Sequence, residues 1–276
     1  FSNFLPDTLI QDIKGKVNLD LTTKGVFPDS LDNHFIDSLL AWSQAAIRLK
    51  DVMLAADSSQ RVHKLSAKIQ YKPGRILISD LNTWLPAYQL NINNSMLNTR
   101  FEGSLNSLSE ISLFFDEYQF YTNGSSLRGN LELQGINQPS FKIDSRIKLE
   151  MNEVRSFIPD TLVSEMKGSM HVRILGSGKL RPDSLDELMK LIFTQGMYEI
   201  DFNNVGFTFS DYPDYSMSEL SGKLMMDSSA INVSKLTGMV SGMEFGIDST
   251  GIKNFYPTLI QNKPGLYLLP WLLKGL

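Results

Sequence analysis

The chain has 276 residues, 42 % of them hydrophobic and 20 % charged, with a net charge of −4 and a pI near 5.5. These totals suit one large or two ordinary folded domains and argue against a nucleic-acid binder, which carries a basic surplus. The absence of cysteine excludes disulfides, thiolate zinc sites and cysteine nucleophiles. No stretch reaches the roughly 18 apolar residues that a membrane-spanning helix requires.

The chain begins at Phe1 inside a motif, so we expect a piece of something longer, with any anchor outside it. Residues 5–25, LPDTLIQDIKGKVNLDLTTKG, end in a strand pattern. Val17, Leu19 and Leu21 alternate with Lys16, Asn18, Asp20 and Thr22, which gives one dry and one wet face. After PDSLD at 28–32, the spacing of Leu31, Phe35, Leu39 and Leu40 predicts an amphipathic helix near 29–41. Strands follow, separated by turn signals at Pro73-Gly74 and Asn123-Gly124. FKIDSRIKLEM at 141–151 predicts a strand with Phe141, Ile143, Ile147, Leu149 and Met151 on one face. Lys142, Asp144, Arg146, Lys148 and Glu150 take the other face.

At 158–178 the opening passage returns as IPDTLVSEMKGSMHVRILGSG, and PDSLD recurs whole at 182–186. Met170, Val172 and Ile174 repeat the alternation, and Leu185, Leu188, Met189, Ile192 and Phe193 predict a second helix near 183–195, stopped by Gly196. Asp29 and Asp183 suit the positive ends of these helices. KLSAKIQYKPGRILISDL at 64–81 aligns with ELSGKLMMDSSAINVSKL at 219–236, and YQLNINNS at 88–95 with MEFGIDST at 243–250. NFYPTLIQ at 254 echoes the start a third time. Order and spacing together imply a duplicated unit, 1–153 and 154–276, each a long antiparallel sheet with one helix laid on it.

Catalytic signals are few. His34, His63 and His171 lie far apart in sequence without metal-ligand spacing. GSGK at 176–179 lacks the earlier Gly and the Ser or Thr of a phosphate loop, and reads as a turn after a strand. Asp211, Tyr212, Asp214, Tyr215 and Glu219 in SDYPDYSMSE combine acids with aromatics, which suits calcium or sugar, or simply an exposed hairpin loop. Asn93, Asn123 and Asn232 head sequon triplets. The run GLYLLPWLLKGL at 265–276 is too short to span a bilayer, and fits an interface, a neighbouring unit or the closed end of a sheet. No catalytic residue, metal site or cofactor is expected.

The runs SSLRGNLELQGINQPSFKIDSRIKLEMNEVRSFIP (125–159) and ELSGKLMMDSSAINVSKLTGMVSGMEFGIDSTG (219–251) resemble the recurring modules of AsmA-like proteins of Gram-negative envelopes. The resemblance implies a mostly β fold: a long curled antiparallel sheet, or β-groove, of repeated units with an apolar concave face. It also implies a periplasmic position, an inner-membrane anchor outside this fragment, and a role in outer-membrane assembly or phospholipid passage. Its partners would be phospholipid or another acyl-chain ligand, the inner membrane and envelope assembly proteins, with no nucleic acid. The expected groove residues are Val17, Leu19, Leu21, Phe141, Ile143, Ile147, Leu149, Met170, Val172 and Ile174. The alternative is a surface β-sandwich that binds glycan or protein through loops such as 210–219.

Overall fold

A computed structural model describes residues 12–23, 41–55, 61–103, 111–135, 139–179, 195–253 and 267–268. The chain is mostly β. Its strands pair antiparallel and take the order of the chain, with one short helix among the described residues and no closure into a barrel. Two compact units are distinguished, one of residues 1–123 and 128–139, the other of 124–127 and 140–276.

The first unit carries β1 (Asp12–Thr23), β2 (Ser43–Ala55), β3 (Arg61–Lys72), β4 (Arg75–Leu85), β5 (Leu90–Glu102) and β6 (Ser112–Tyr121). β7 (Ser126–Gln134) falls across the division. The second unit carries β8 (Ser140–Glu150), helix α1 (Met151–Arg155), β9 (Val163–Lys179), β10 (Gly196–Phe209), β11 (Ser216–Met226), β12 (Ala230–Val240), β13 (Met243–Lys253) and β14 (Tyr267–Leu268). The turn residues act as their chemistry dictates. Pro73-Gly74 closes β3 onto β4, with Lys72 opposite Arg75. Asp227 turns β11 into β12 by accepting from the Ser229 hydroxyl and amide, both at 2.7 Å, and from the Ala230 amide at 3.0 Å. Those bonds, the Ser229 hydroxyl first, hold the Asp227 carboxyl below its ordinary range.

Both units carry a row of bulges. Gly15, Asp51, Lys64, Asp80 and Asn94 have positive φ in β1 to β5, and Gly168, Asn204, Glu219 and Lys235 in β9 to β12. Register shifts accompany them. Each bulge inserts a residue into one strand and locally raises its bend and twist. The glycines are there for lack of room. A Cβ at Gly15 would lie 2.6 Å from the Val52 Cα, and one at Gly168 would overlap the Asn204 carbonyl oxygen. The amide freed at Asp51 donates to the Ser66 hydroxyl at 3.2 Å, and that at Asn204 to the Ser221 hydroxyl at 3.0 Å. The apolar residue after each of these, Val52 or Val205, is buried.

Two expectations change. Met151 does not extend the strand at 141–151. β8 ends at Glu150, and Met151 opens α1 and is buried at 2 % exposure. Helical backbone there lets the Glu153 carboxylate accept from the Gly124 and Ser125 amides, at 2.8 and 3.0 Å. GSGK is not a turn, because β9 continues through it to Lys179, with Gly176 opposite Ile143 and Gly178 opposite Phe141. Gly196 opens β10. The predicted helices near 29–41 and 183–195 fall, but for a terminal residue each, outside the described residues, as do His34, the third start at 254 and most of 265–276.

Candidate functional site

Strand pairing decides which side chains share a face, because partners directly opposite point to the same side. In the first unit Leu19 stands opposite Ile47, Ile47 opposite Ile69, Ile69 opposite Ile78, Ile78 opposite Leu97 and Leu97 opposite Tyr118. A parallel row runs Leu21, Ala45, Tyr71, Ile76 and Thr99. An apolar face therefore crosses six strands. Tyr71 stacks on Phe101 with ring centroids 6.4 Å apart, and burial raises its phenol pKa above the ordinary value.

The second unit also carries apolar rows across its strands. One row runs Ile147, Val172, Ile200, Leu224, Val233 and Thr250. The next runs Ser145, Ile174, Tyr198, Met226, Ile231 and Ile252. Leu149, Met170 and Phe202 form a third. The Tyr198 phenol is also raised by burial.

Of the ten residues named from sequence, Val17, Leu19 and Leu21 lie on the apolar face of the first unit. Phe141, Ile143, Ile147, Leu149, Met170, Val172 and Ile174 lie together on that of the second. Sequence reading did not name Ile47, Ile69, Ile78, Ile200, Tyr198 or Leu224, which continue the rows. For Ile69, Ile78 and Leu224 the signal lies in the aligned segments 64–81 and 219–236, where apolar residues alternate with polar ones; Ile47, Tyr198 and Ile200 lie outside those segments.

These faces are incompletely covered. Val17, Leu19 and Leu21 are 49 %, 56 % and 62 % exposed. Ile69, Ile78, Ile200 and Leu224, each with a strand on either side, keep intermediate exposure, whereas the core of a closed sandwich leaves such positions dry.

The opposite faces are polar. In the second unit they carry cross-strand ion pairs, Lys223 to Asp201 at 3.2 Å and Arg173 to Asp144 at 3.8 Å. His171 sits on this face, exposed, opposite Lys148 and Asp201. His63 lies in β3 of the first unit. Among the described residues no group of three or more His, Asp or Glu side chains is placed to hold a metal ion. No helix among them is long and apolar enough to cross a membrane. In the β10–β11 loop, Tyr212 and Tyr215 meet edge to face at 6.1 Å, 65 % and 66 % exposed. Comparison with protein-family models, with curated proteins and with solved structures finds no match.

Proposed function

We propose that this chain is a non-enzymatic module of a Gram-negative cell envelope that holds the acyl chains of phospholipid against the apolar faces of two repeated units. It serves outer-membrane assembly or lipid transport in the periplasm, with an inner-membrane anchor elsewhere in the full protein. The observation that carries this reading is the partial exposure of mid-sheet isoleucines and leucines in rows six strands wide. Apolar surface on that scale, left open to water, suits an apolar ligand. The methionines Met170 and Met226 lie within these rows and adapt to varied chains. The likeness to AsmA-like modules points the same way.

Repetition of the unit is supported by matched detail. Val172 and Ile200 each lie 153 residues after Leu19 and Ile47, and each two form a cross-strand pair. The bulge residues Gly168 and Asn204 lie 153 after Gly15 and Asp51, and Glu219 and Lys235 lie 155 after Lys64 and Asp80. Ser221, which accepts from Asn204, lies 155 after Ser66, which accepts from Asp51. The β4–β5 turn passes from Leu85 to Leu90 and the β12–β13 turn from Val240 to Met243, two residues shorter. The match of β5 to β13 therefore returns to 153, two residues from the alignment of 88–95 with 243–250.

Ile147→Asp and Ile174→Arg test the reading, with thermal melting beside binding of a fluorescent fatty acid and photo-crosslinking to phospholipid. A charge facing hydrocarbon is strongly disfavoured. The expected result is a folded variant that has lost lipid. Unfolding of both variants, with no lipid held by the parent, sinks the proposal. The second reading, a surface module that binds glycan or protein, rests on the exposed Tyr212–Tyr215 pair. Glycan or protein binding by the parent that a Tyr212→Ala, Tyr215→Ala variant keeps in full counts against it.

A further inference from the structure

The polar face of the first unit sets cations directly opposite one another. Lys16 stands directly opposite Lys50, and Arg48 directly opposite Lys68. All four are exposed. Like charges placed opposite one another in a sheet repel. Lys68 turns to Asp80 at 2.6 Å. On the far strands Arg75 and Arg100 share Asp116, at 3.6 and 3.5 Å. Lys16, Arg48 and Lys50 make no ion pair among the described residues, although Asp20 and Asp51 lie nearby in β1 and β2. The second unit handles the same strands differently. Where two cations face each other at Arg48 and Lys68, it pairs Asp201 with Lys223. Its own Arg146–Arg173 pair has Asp144 beside it and Glu199 opposite.

We infer that the polar face of β1 and β2 docks on a bilayer surface carrying anionic headgroups, through Lys16, Arg48 and Lys50. Geometry favours a planar array of charges over one small anion. Cross-strand partners stand about 5 Å apart, and alternate residues of one strand about 7 Å apart. Side chains leave a sheet face side by side, so they meet several headgroups and do not converge on a single phosphate. Among the described residues the three cations sit on strands β1 and β2, not at a helix start. The total charge of −4 opposes a general attraction to such a surface, so this strip sets the orientation of docking. The inference stands whether or not the opposite face holds acyl chains.

Flotation of the full chain with vesicles tests it. One set is phosphatidylcholine alone, and the other contains one third phosphatidylglycerol. The parent is expected to float with the anionic vesicles only, and to be released at about 1 M salt, where the screening length falls to about 3 Å. Each basic residue near an anionic surface is worth about fivefold in affinity, so the K16Q/R48Q/K50Q variant should bind about 100-fold more weakly. Lys223→Gln, which removes an already paired cation of the second unit, should bind as the parent does. Circular dichroism confirms that the exposed substitutions leave the fold intact. Equal flotation of the parent with both vesicle types overturns the inference, and so does parent-like binding by the triple variant. Calorimetric titration with inorganic phosphate supplies the other arm. Saturable uptake lost in the triple variant replaces the bilayer by a small-anion site.

Discussion

In the first unit Arg48 faces Lys68, and in the second Asp201 faces Lys223. Around this difference both units carry apolar rows, bulges with positive φ and a serine that accepts from a bulge amide. Apolar register and bulge geometry must be kept, because a slip of one residue turns every apolar side chain to the wrong face. The polar face carries no such constraint. There the two units differ: one pairs Asp201 with Lys223, and the other sets Lys16 opposite Lys50 and Arg48 opposite Lys68. A difference on that face is where the proposed bilayer contact would enter.

The sharpest way to break the comparison is at the glycines. Gly168 has φ +86° and its missing Cβ would overlap the Asn204 carbonyl; Gly15 has φ +126° and would meet the Val52 backbone. Gly168→Ala should cost about 3 kcal/mol, since strain and a backbone clash act together. Gly15→Ala should cost nearly as much. Gly242, with φ +79° and nothing within 4 Å of its would-be Cβ, is the control. There Gly→Ala should cost about 1 kcal/mol, from backbone strain alone. Urea unfolding monitored by circular dichroism measures all three. Equal losses at Gly168 and Gly242 would show that the close approach at the bulge is not required.

The serines come next. Ser66→Ala and Ser221→Ala each leave the amide of a bulge without its acceptor. Each should cost about 1 kcal/mol by the same urea measurement. Similar losses at both sites support one shared construction, and a loss at only one separates the units.

Much of this was legible in the sequence, and the reasons for the remainder are physical. Alternation in 141–149 and 170–174 placed seven residues on one face, because a half-buried strand permits little else. The aligned serines in KLSAKI and ELSGKL were visible as residues but not as acceptors. Their role depends on an amide one strand away. The bulges were hidden because Asp51, Lys64, Asp80, Glu219 and Lys235 are ordinary polar residues, and positive φ leaves no mark on them. Met151 was misplaced because an apolar residue in phase with a strand looks the same when the backbone has turned helical. GSGK misled through composition. Its glycines lie within β9, where Gly176 leaves room for Ile143.

The smallest effect joins the two faces of the comparison. Arg48→Asp gives the first unit the arrangement of the second, a carboxylate opposite a lysine, as Asp201 is opposite Lys223. The repulsion between Arg48 and Lys68 is removed, and Lys68 gains a choice between the new acid and Asp80. Both side chains are exposed, so solvent and salt screen the gain. The expected change is a stabilisation of about 0.5 kcal/mol at low salt, near zero at about 1 M salt. Vesicle binding should move in the opposite direction, because a cation of the strip has become an anion. A variant that is more stable yet floats less with anionic vesicles separates the two demands on this face. If Arg48→Asp instead lowered stability, Arg48 would be held by contacts that its charge does not explain. The cationic strip would then be a consequence of folding, not a surface kept for a partner.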